Sequence, residues 1–172
     1  MKGMGRILAV VTAILMLAAG AHRAAAAGGG AEAFEKLKSL VGHWEAQPAD
    51  DAKATLDIEL TSAGSAVLEK FHMIQEGKPV EMTTLYYLDG EQVKMTHYCE
   101  AGNQPTMRGT YAPEAKTMTF DFVSATNMKS PNDGHMHHAV YTFIDKDHFK
   151  TTWTFLKDQK EAFTEDVTYV RK

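Results

Sequence analysis

The sequence predicts an all-β protein in which a single antiparallel meander, preceded by one short helix, closes into a barrel of about ten strands. Most of the chain after Trp44 alternates apolar and polar residues and is rich in Thr, Val, Tyr, Phe and Met, as β-strands are. Short turns such as Asp89-Gly90 separate these segments and suit hairpins. Closure removes the two exposed edges of so long a meander. A two-sheet sandwich is the alternative that fits the same pattern.

The N-terminal residues are typical of a secretory signal peptide. An apolar run over 7–19 follows Lys2 and Arg6 and leads into small residues, which is the order found in such signals. The run is shorter than the roughly 20 residues that a membrane-spanning helix needs, so a membrane anchor is the less favoured interpretation. We expect cleavage to remove residues 1–26, leaving a barrel domain over 27–172 that is periplasmic or secreted and has no membrane anchor.

The charge of the mature chain disfavours nucleic acids as partners. The full sequence has 18 Lys and Arg against 22 Asp and Glu. Cleavage would remove Lys2, Arg6 and Arg23 but no acidic residue, so 18 basic side chains become 15 against 22 acidic ones, a net charge of about −7. Such a surface repels nucleic acids and anionic membranes. A small-molecule ligand is therefore the expected partner, and the sequence assigns no oligomeric state.

The hydrophobic period changes once along the chain. Phe34, Leu37 and Val41 share one face of a predicted helix over 31–41, and Gly42 is placed to end that helix. Downstream, the period of two predicts a short strand at Trp44 and further strands over 55–60, 65–74, 80–88, 92–99, 106–111, 117–123, 135–144, 148–156 and 162–170.

Two connectors, 100–105 and 124–134, are longer than the others and rich in turn-forming residues. Long loops on a rigid β frame are where binding residues are often found. Asn103 is therefore a candidate for the rim of a binding pocket. The alternative is that these loops are solvated and that their amides only satisfy turn geometry.

The segment Leu40-Val41-Gly42-His43-Trp44 resembles the opening of lipocalin-like, calycin-type barrels, in which a short helix leads into a Gly-x-Trp at the first strand. The resemblance implies structural roles for Gly42, for Trp44 as a plug at the closed end, and for Arg171, just past the last strand, as a cation stacked on that plug. A guanidinium is attracted to the face of an indole ring.

Over its mature length, through HYCEAGNQP, TFDF and SPNDGHMHH, the chain resembles a family of exported bacterial domains of unknown function that are expected to form this barrel. The likeness implies a fold but no activity. Nitrobindin-type haem barrels continue their Gly-x-Trp with glycines, whereas 45–48 here reads EAQP, which disfavours haem. The Thr-Asp-Tyr turn of true lipocalins is missing as well. The sequence does not identify a cofactor.

Histidines and the single cysteine form one group of candidate residues. On predicted strands, His135 and His137 share a face, while His97 and Cys99 share the inner face of theirs. His97, His135 and His137 are thus candidate metal ligands. His135 and His137, spaced i and i+2, would bind the metal from one strand and His97 from another. The alternative is that they are buried and hydrogen-bonded. Cys99 is either a nucleophile or, as we favour, a small buried hydrophobe.

Two carboxylates form a second group. Glu69 alternates with Val67 and Phe71, and Glu165 alternates with Val167, so each belongs to an otherwise apolar face. A carboxylate that faces a barrel lumen must be paired, hydrogen-bonded or protonated, and each of these suits ligand binding. In the alternative interpretation the opposite faces are the inner ones and both carboxylates lie in water.

These patterns favour an exported protein that holds a small molecule, which can be lipophilic, in the barrel lumen. The ligand-binding candidates are His97, Cys99, Asn103, His135, His137, Glu69 and Glu165. One alternative is a metal-dependent or histidine-based enzyme that uses His97, His135 and His137. Another is a filled barrel that acts through its loops. The sequence contains no Ser-His-Asp order, P-loop, GxGxxG or CxxC, so no catalytic residue is predicted.

Overall fold

A computed structural model describes residues 29–46 and 54–172 of the chain. The predicted signal peptide, 1–26, lies outside the described residues. Within these two ranges no helix combines the length and apolar character needed to cross a membrane. The described residues form one α-helix, a 3-10 turn (Ser62–Gly64) and ten strands: α1 (Gly30–Lys38), β1 (Gly42–Ala46), β2 (Ala54–Thr61), β3 (Ala66–Gln75), β4 (Lys78–Asp89), β5 (Gln92–Tyr98), β6 (Gln104–Ala112), β7 (Thr117–Thr126), β8 (His135–Phe143), β9 (His148–Lys157) and β10 (Lys160–Arg171).

The strands form a closed antiparallel barrel. Each strand pairs with its neighbours in the sequence, and β10 pairs with β1 to close the sheet. In that closing pair Trp44 lies opposite Arg171, and on its other side Trp44 lies opposite Leu56. Because every strand of the barrel has two partners, no long edge is left unpaired. The prediction of an all-β meander closed into a barrel of about ten strands is confirmed, and the sandwich alternative is wrong.

The helix ends earlier than its periodicity predicts. α1 stops at Lys38 instead of Val41, so Gly42 does not end it and is instead the first residue of β1. Gly42 has a φ of +143°, and a Cβ atom there would lie 2.6 Å from Nη1 of Arg171. Glycine is needed at this position because the arginine approaches the backbone so closely.

Trp44 and Arg171 close one end of the barrel. The Trp44 side chain is fully buried, donates a hydrogen bond from Nε1 to the carbonyl of Leu40 (2.7 Å) and packs edge-on against Phe149. The Arg171 guanidinium lies 4.1 Å from the Trp44 ring centroid. It also donates to the carbonyls of Val41 (2.6 Å) and Ser39 (2.9 Å). The arginine therefore ties the last strand to the segment that enters the first.

Side chains fill most of the barrel interior. Alternate residues of the strands point inward and are buried, as the period of two predicts. The helix packs against β4, β5 and β6, and its Phe34 and Leu37 side chains belong to the same buried cluster as the core of the barrel. The largest fully buried side chains are Trp44, Tyr86, Tyr141, Phe120, Phe149, Leu37, Met95, Met107 and Met118. A small cavity lies between the core and the end of the barrel opposite Trp44.

Candidate functional site

The cavity has a volume of about 40 Å³. Its polar wall is formed by Glu69, His97, Tyr141, Thr151, Glu165 and Tyr169. Its apolar wall is formed by Leu56, Phe71, Met82, Met136, Trp153 and Val167. Because these residues come from strands all around the barrel, closure of the sheet is what assembles the site.

A wide depression of about 850 Å³ lies at the open end of the barrel, among residues next to the turns that follow β3, β5 and β9. We call it the mouth. Met82, Met136 and Glu165 line both the mouth and the cavity. Much of the remaining wall is apolar, including Phe155 and Phe163, whose rings stack with centroids 5.0 Å apart. The mouth therefore adjoins the cavity, and its wall combines apolar and polar side chains.

Glu69 is the buried carboxylate of the cavity. It lies on β3, alternates with the fully buried Val67, and is 5% exposed. Its Oε2 atom accepts a hydrogen bond from Tyr86 (3.0 Å) and lies 3.5 Å from the hydroxyl of Tyr141. Burial raises the pKa of Glu69 from 4.5 to about 7, although hydrogen bonds from Tyr86, Tyr141 and Thr84 lower it. Glu69 therefore changes its charge near neutral pH.

The two tyrosines form a short hydrogen-bonded chain that ends at the carboxylate. The hydroxyls of Tyr86 and Tyr141 lie 2.6 Å apart. Tyr86 donates its one proton to Glu69, and the acceptors within reach of the Tyr141 proton are Tyr86 and Glu69. Burial, and next the nearby Glu69, raise the pKa of both tyrosines well above its ordinary value. Both therefore remain protonated donors.

His97 faces the same cavity from β5. It is 4% exposed, its Nδ1 atom lies 2.9 Å from the hydroxyl of Thr84, and its ring packs on Trp153 at 4.8 Å. Burial lowers the pKa of His97 from 6.5 to about 4, which keeps the ring neutral at physiological pH. Nε2 of His97 and Oγ1 of Thr151 are buried and have no hydrogen-bond partner among the described residues.

His135 and His137 form a separate pair. Their ring nitrogens lie 3.2 Å apart, and both rings pack on Phe122, so the two share one face as predicted. Neither residue lines the cavity that contains His97. Burial is the main cause that lowers the pKa of His137.

The three histidines are therefore not brought together as a metal site. In the part of the chain that the structure describes, no group of three or more His, Cys, Asp or Glu side chains could hold a metal ion. A register shift between Met136 and His138 contributes to this arrangement. Such a β-bulge interrupts strict alternation, and Met136 lines the cavity in this part of β8.

Two further candidates lie near the mouth. Cys99 follows the end of β5, is half-buried on the mouth wall, and accepts a 3.5 Å hydrogen bond from the backbone N–H of Ala101. Burial raises the pKa of its thiol. Asn103 is buried and donates from Nδ2 to the carbonyl of Gly134 (2.7 Å), which joins the two long loops. Asn103 does not line the cavity; it lines a separate depression between the loops.

The sequence analysis missed several hydroxyl and aromatic residues of the site. Thr84 and Tyr86 alternate on β4 and are both buried, and Thr151 and Trp153 alternate on β9. Tyr141 is buried on β8. An alternation of hydroxyl-bearing residues on an inner strand face was the signal that could have identified them, because an inward hydroxyl needs a partner.

Comparison with known proteins identifies the fold alone. No family model matches the sequence, and a search of curated proteins finds no match. Among solved structures, the fold is similar to that of a protein of unknown function of the DUF3598 family from Nostoc punctiforme, with 15% sequence identity and a TM-score of 0.53. The similarity covers 79% of this chain and 49% of that one, so this chain spans about half the length of its relative. The neighbour is likewise a domain of unknown function.

Proposed function

We propose that the protein binds a small organic molecule, which enters through the mouth and places one end in the cavity. The observation that carries the proposal is the pair of unpartnered buried atoms, Nε2 of His97 and Oγ1 of Thr151, beside the buried carboxylate of Glu69. Perturbed ionisable groups in a pocket mark candidate functional sites. Apolar surroundings with a few converging polar groups are typical of ligand sites.

The energetic cost of these groups supports the proposal. A buried polar atom without a hydrogen bond costs roughly 1–3 kcal/mol, and apolar residues of similar size would fill the lumen without that cost. A bound molecule that hydrogen-bonds with His97 and Thr151 would remove the cost. The small volume of the cavity limits the part of the molecule that enters to a few atoms, so the rest of the ligand would lie in the mouth.

Trp153 provides a direct test, because it lines the cavity while the only other tryptophan, Trp44, is buried at the closed end. We expect titration with 1-octanol, a neutral amphiphile, to give a saturable change in tryptophan fluorescence and a heat of binding. Trp153→Phe should lose most of the fluorescence change, since Trp44 does not line the cavity. An absence of saturable binding would contradict a ligand site.

A pair of substitutions on one strand tests the route of entry. Met136→Phe narrows the junction between mouth and cavity, and we expect it to weaken 1-octanol binding by about tenfold or more. Val140→Phe adds the same bulky ring to the opposite face of β8, which is partly exposed, and should leave the affinity unchanged. Equal affinities for the two variants would place the bound molecule elsewhere.

We also propose that the protein is exported to the periplasm or beyond. The support is the order of basic, apolar and small residues over 1–26. Mass spectrometry of the protein from fractionated host cells should find a mature N-terminus near residue 27 in the exported fraction. Recovery of the full-length chain from the cytoplasm would contradict export.

A further inference from the structure

We propose that the end of the ligand that enters the cavity is a primary ammonium group, held by Glu69, His97 and Thr151. The inference rests on the proposed function and specifies the chemical class of its ligand. It depends on three features of the described residues: the hydrogen-bonding capacity that remains free in the cavity, the charge of the residues around it, and the size of the space.

The groups that face the cavity supply hydrogen-bond acceptors when Glu69 is ionised. The hydroxyl protons of Tyr86 and Tyr141 are used within their chain to the carboxylate. The hydroxyl of Thr84 lies 2.9 Å from Nδ1 of His97. When Thr84 accepts the Nδ1–H of the neutral imidazole, Nε2 carries a lone pair. In that tautomer the unpartnered Nε2 atom of His97 is an acceptor.

The charges around the cavity are all of one sign. Neither the cavity nor the mouth is lined by Lys or Arg within the described ranges. Acidic side chains, by contrast, lead from solvent inward: Glu100 and Glu165 line the mouth, and Glu165 and Glu69 line the cavity. A cleft lined by charges of one sign attracts ligands of the opposite sign. An ionised Glu69 has no cationic partner there, and an ammonium group would supply one.

The size of the space selects among cations. A cavity volume of about 40 Å³ admits a group of only a few atoms. A primary ammonium fits such a space and presents three N–H donors to three acceptors. A trimethylammonium group carries the same charge but is much larger and donates no hydrogen bond. An alkyl chain attached to the ammonium would lie along the apolar wall of the mouth.

Four probes of one chain length test the proposal by calorimetry at pH 8, below their micelle concentrations: octylammonium, octyltrimethylammonium, 1-octanol and octanoate. We expect octylammonium to bind at least tenfold more tightly than each of the others, because it alone has both the charge and the donors. If 1-octanol binds as tightly as octylammonium, the ammonium class is wrong and the proposed ligand site stands. If none of the four binds, both proposals are wrong.

Substitution of the carboxylate gives a second test. Glu69→Gln keeps the shape and removes the charge, and we expect it to weaken octylammonium at least tenfold and the uncharged 1-octanol to a smaller extent. Glu81→Gln removes the same charge from β4, where the side chain of Glu81 is 72% exposed, and should change neither affinity. Unchanged affinity of Glu69→Gln for octylammonium would contradict the contact with Glu69.

The parent protein supplies a readout that does not depend on folding of a variant. The titratable groups on strands around Glu69 are Tyr86, His97, Tyr141, Tyr169 and Glu165. Among the groups within the cavity, Glu69 is the one whose pKa lies near neutrality. We expect octylammonium affinity to rise between pH 6 and pH 8, with release of a proton on binding at the lower pH. Affinity that does not depend on pH, or that falls, would overturn the proposal.

Discussion

At the scale of single residues, the cavity contains two groups whose pKa values are displaced by burial. Both displacements favour the neutral form. Glu69 resists ionisation, with a pKa raised to about 7, and His97 resists protonation, with a pKa lowered to about 4. Each group therefore opposes folding when it carries a charge, but in opposite ranges of pH.

The sign of each contribution follows from the unfolded chain. Glu69 ionises there at about pH 4.5, so its contribution to stability is lost as pH rises from about 4.5 to about 7. His97 is protonated there at about pH 6.5, so its contribution is lost as pH falls from about 6.5 to about 4. Each loss amounts to about 3 kcal/mol at roughly 1.4 kcal/mol per pKa unit. Between pH 4.5 and 6.5 the two slopes nearly cancel in the parent protein.

Removing one of the two groups should therefore expose the pH dependence of stability that the other group contributes. Relative to the parent, Glu69→Gln should gain about 3 kcal/mol in the free energy of unfolding between pH 4.5 and 7. His97→Gln should gain a similar amount as pH falls from 6.5 to 4. Urea unfolding at a series of pH values measures both differences. Curves parallel to that of the parent would show that these side chains do not carry displaced pKa values.

Cys99 lies on the mouth wall, and its half-buried thiol has a raised pKa. A low thiolate fraction and restricted access slow the attack of a thiol on reagents. We expect native labelling with a maleimide to be at least tenfold slower than labelling of the urea-unfolded chain. Saturating 1-octanol should slow it further, because the occupied mouth covers the sulfur. Equal native and unfolded rates would place Cys99 on a freely accessible surface.

At the scale of elements, alternation predicted the strands because inward positions of a closed sheet are buried and outward ones are not. It could not locate the ends of the strands or the bulge between Met136 and His138. A bulge depends on how two strands meet, and the sequence of one strand does not contain that information. The same limit explains why His135 and His137 could be placed on one face but not relative to the inner wall that includes His97.

The contact between β1 and β10 depends on the aromatic plug. Trp44 is fully buried and touches both Phe149 and Arg171. We expect Trp44→Ala to lower the free energy of unfolding by about 3 kcal/mol or more, because it leaves a large cavity at the closed end. Phe163→Ala, at the other end and 46% exposed, is the control and should cost about 1 kcal/mol or less. Thermal unfolding compares the two, and equal losses would contradict the plug.

At the scale of the whole molecule, the barrel could be predicted but its interior could not. The number of strands and their short connections were enough for closure, since an open meander leaves two edges. The volume of the cavity instead depends on how side chains from nearly all strands share one space. The alternation of Glu69 with Val67 and Phe71 left open which face of β3 is the inner one. The inward placement of Glu69 and the hydrogen bond that it receives from Tyr86 both required the three-dimensional structure.

The pairing of the first and last strands brings both ends of the barrel domain to the closed end. The backbone N–H of Lys172 donates to the carbonyl of His43 (2.9 Å), and the mouth lies at the opposite end. A second folded protein attached after Lys172 would therefore leave the mouth unobstructed. We expect such a fusion to bind 1-octanol within roughly twofold of the parent, and insertion of the same protein between Asp158 and Gln159 to obstruct binding. Attachment through the C-terminus would thus leave the mouth accessible from the surroundings.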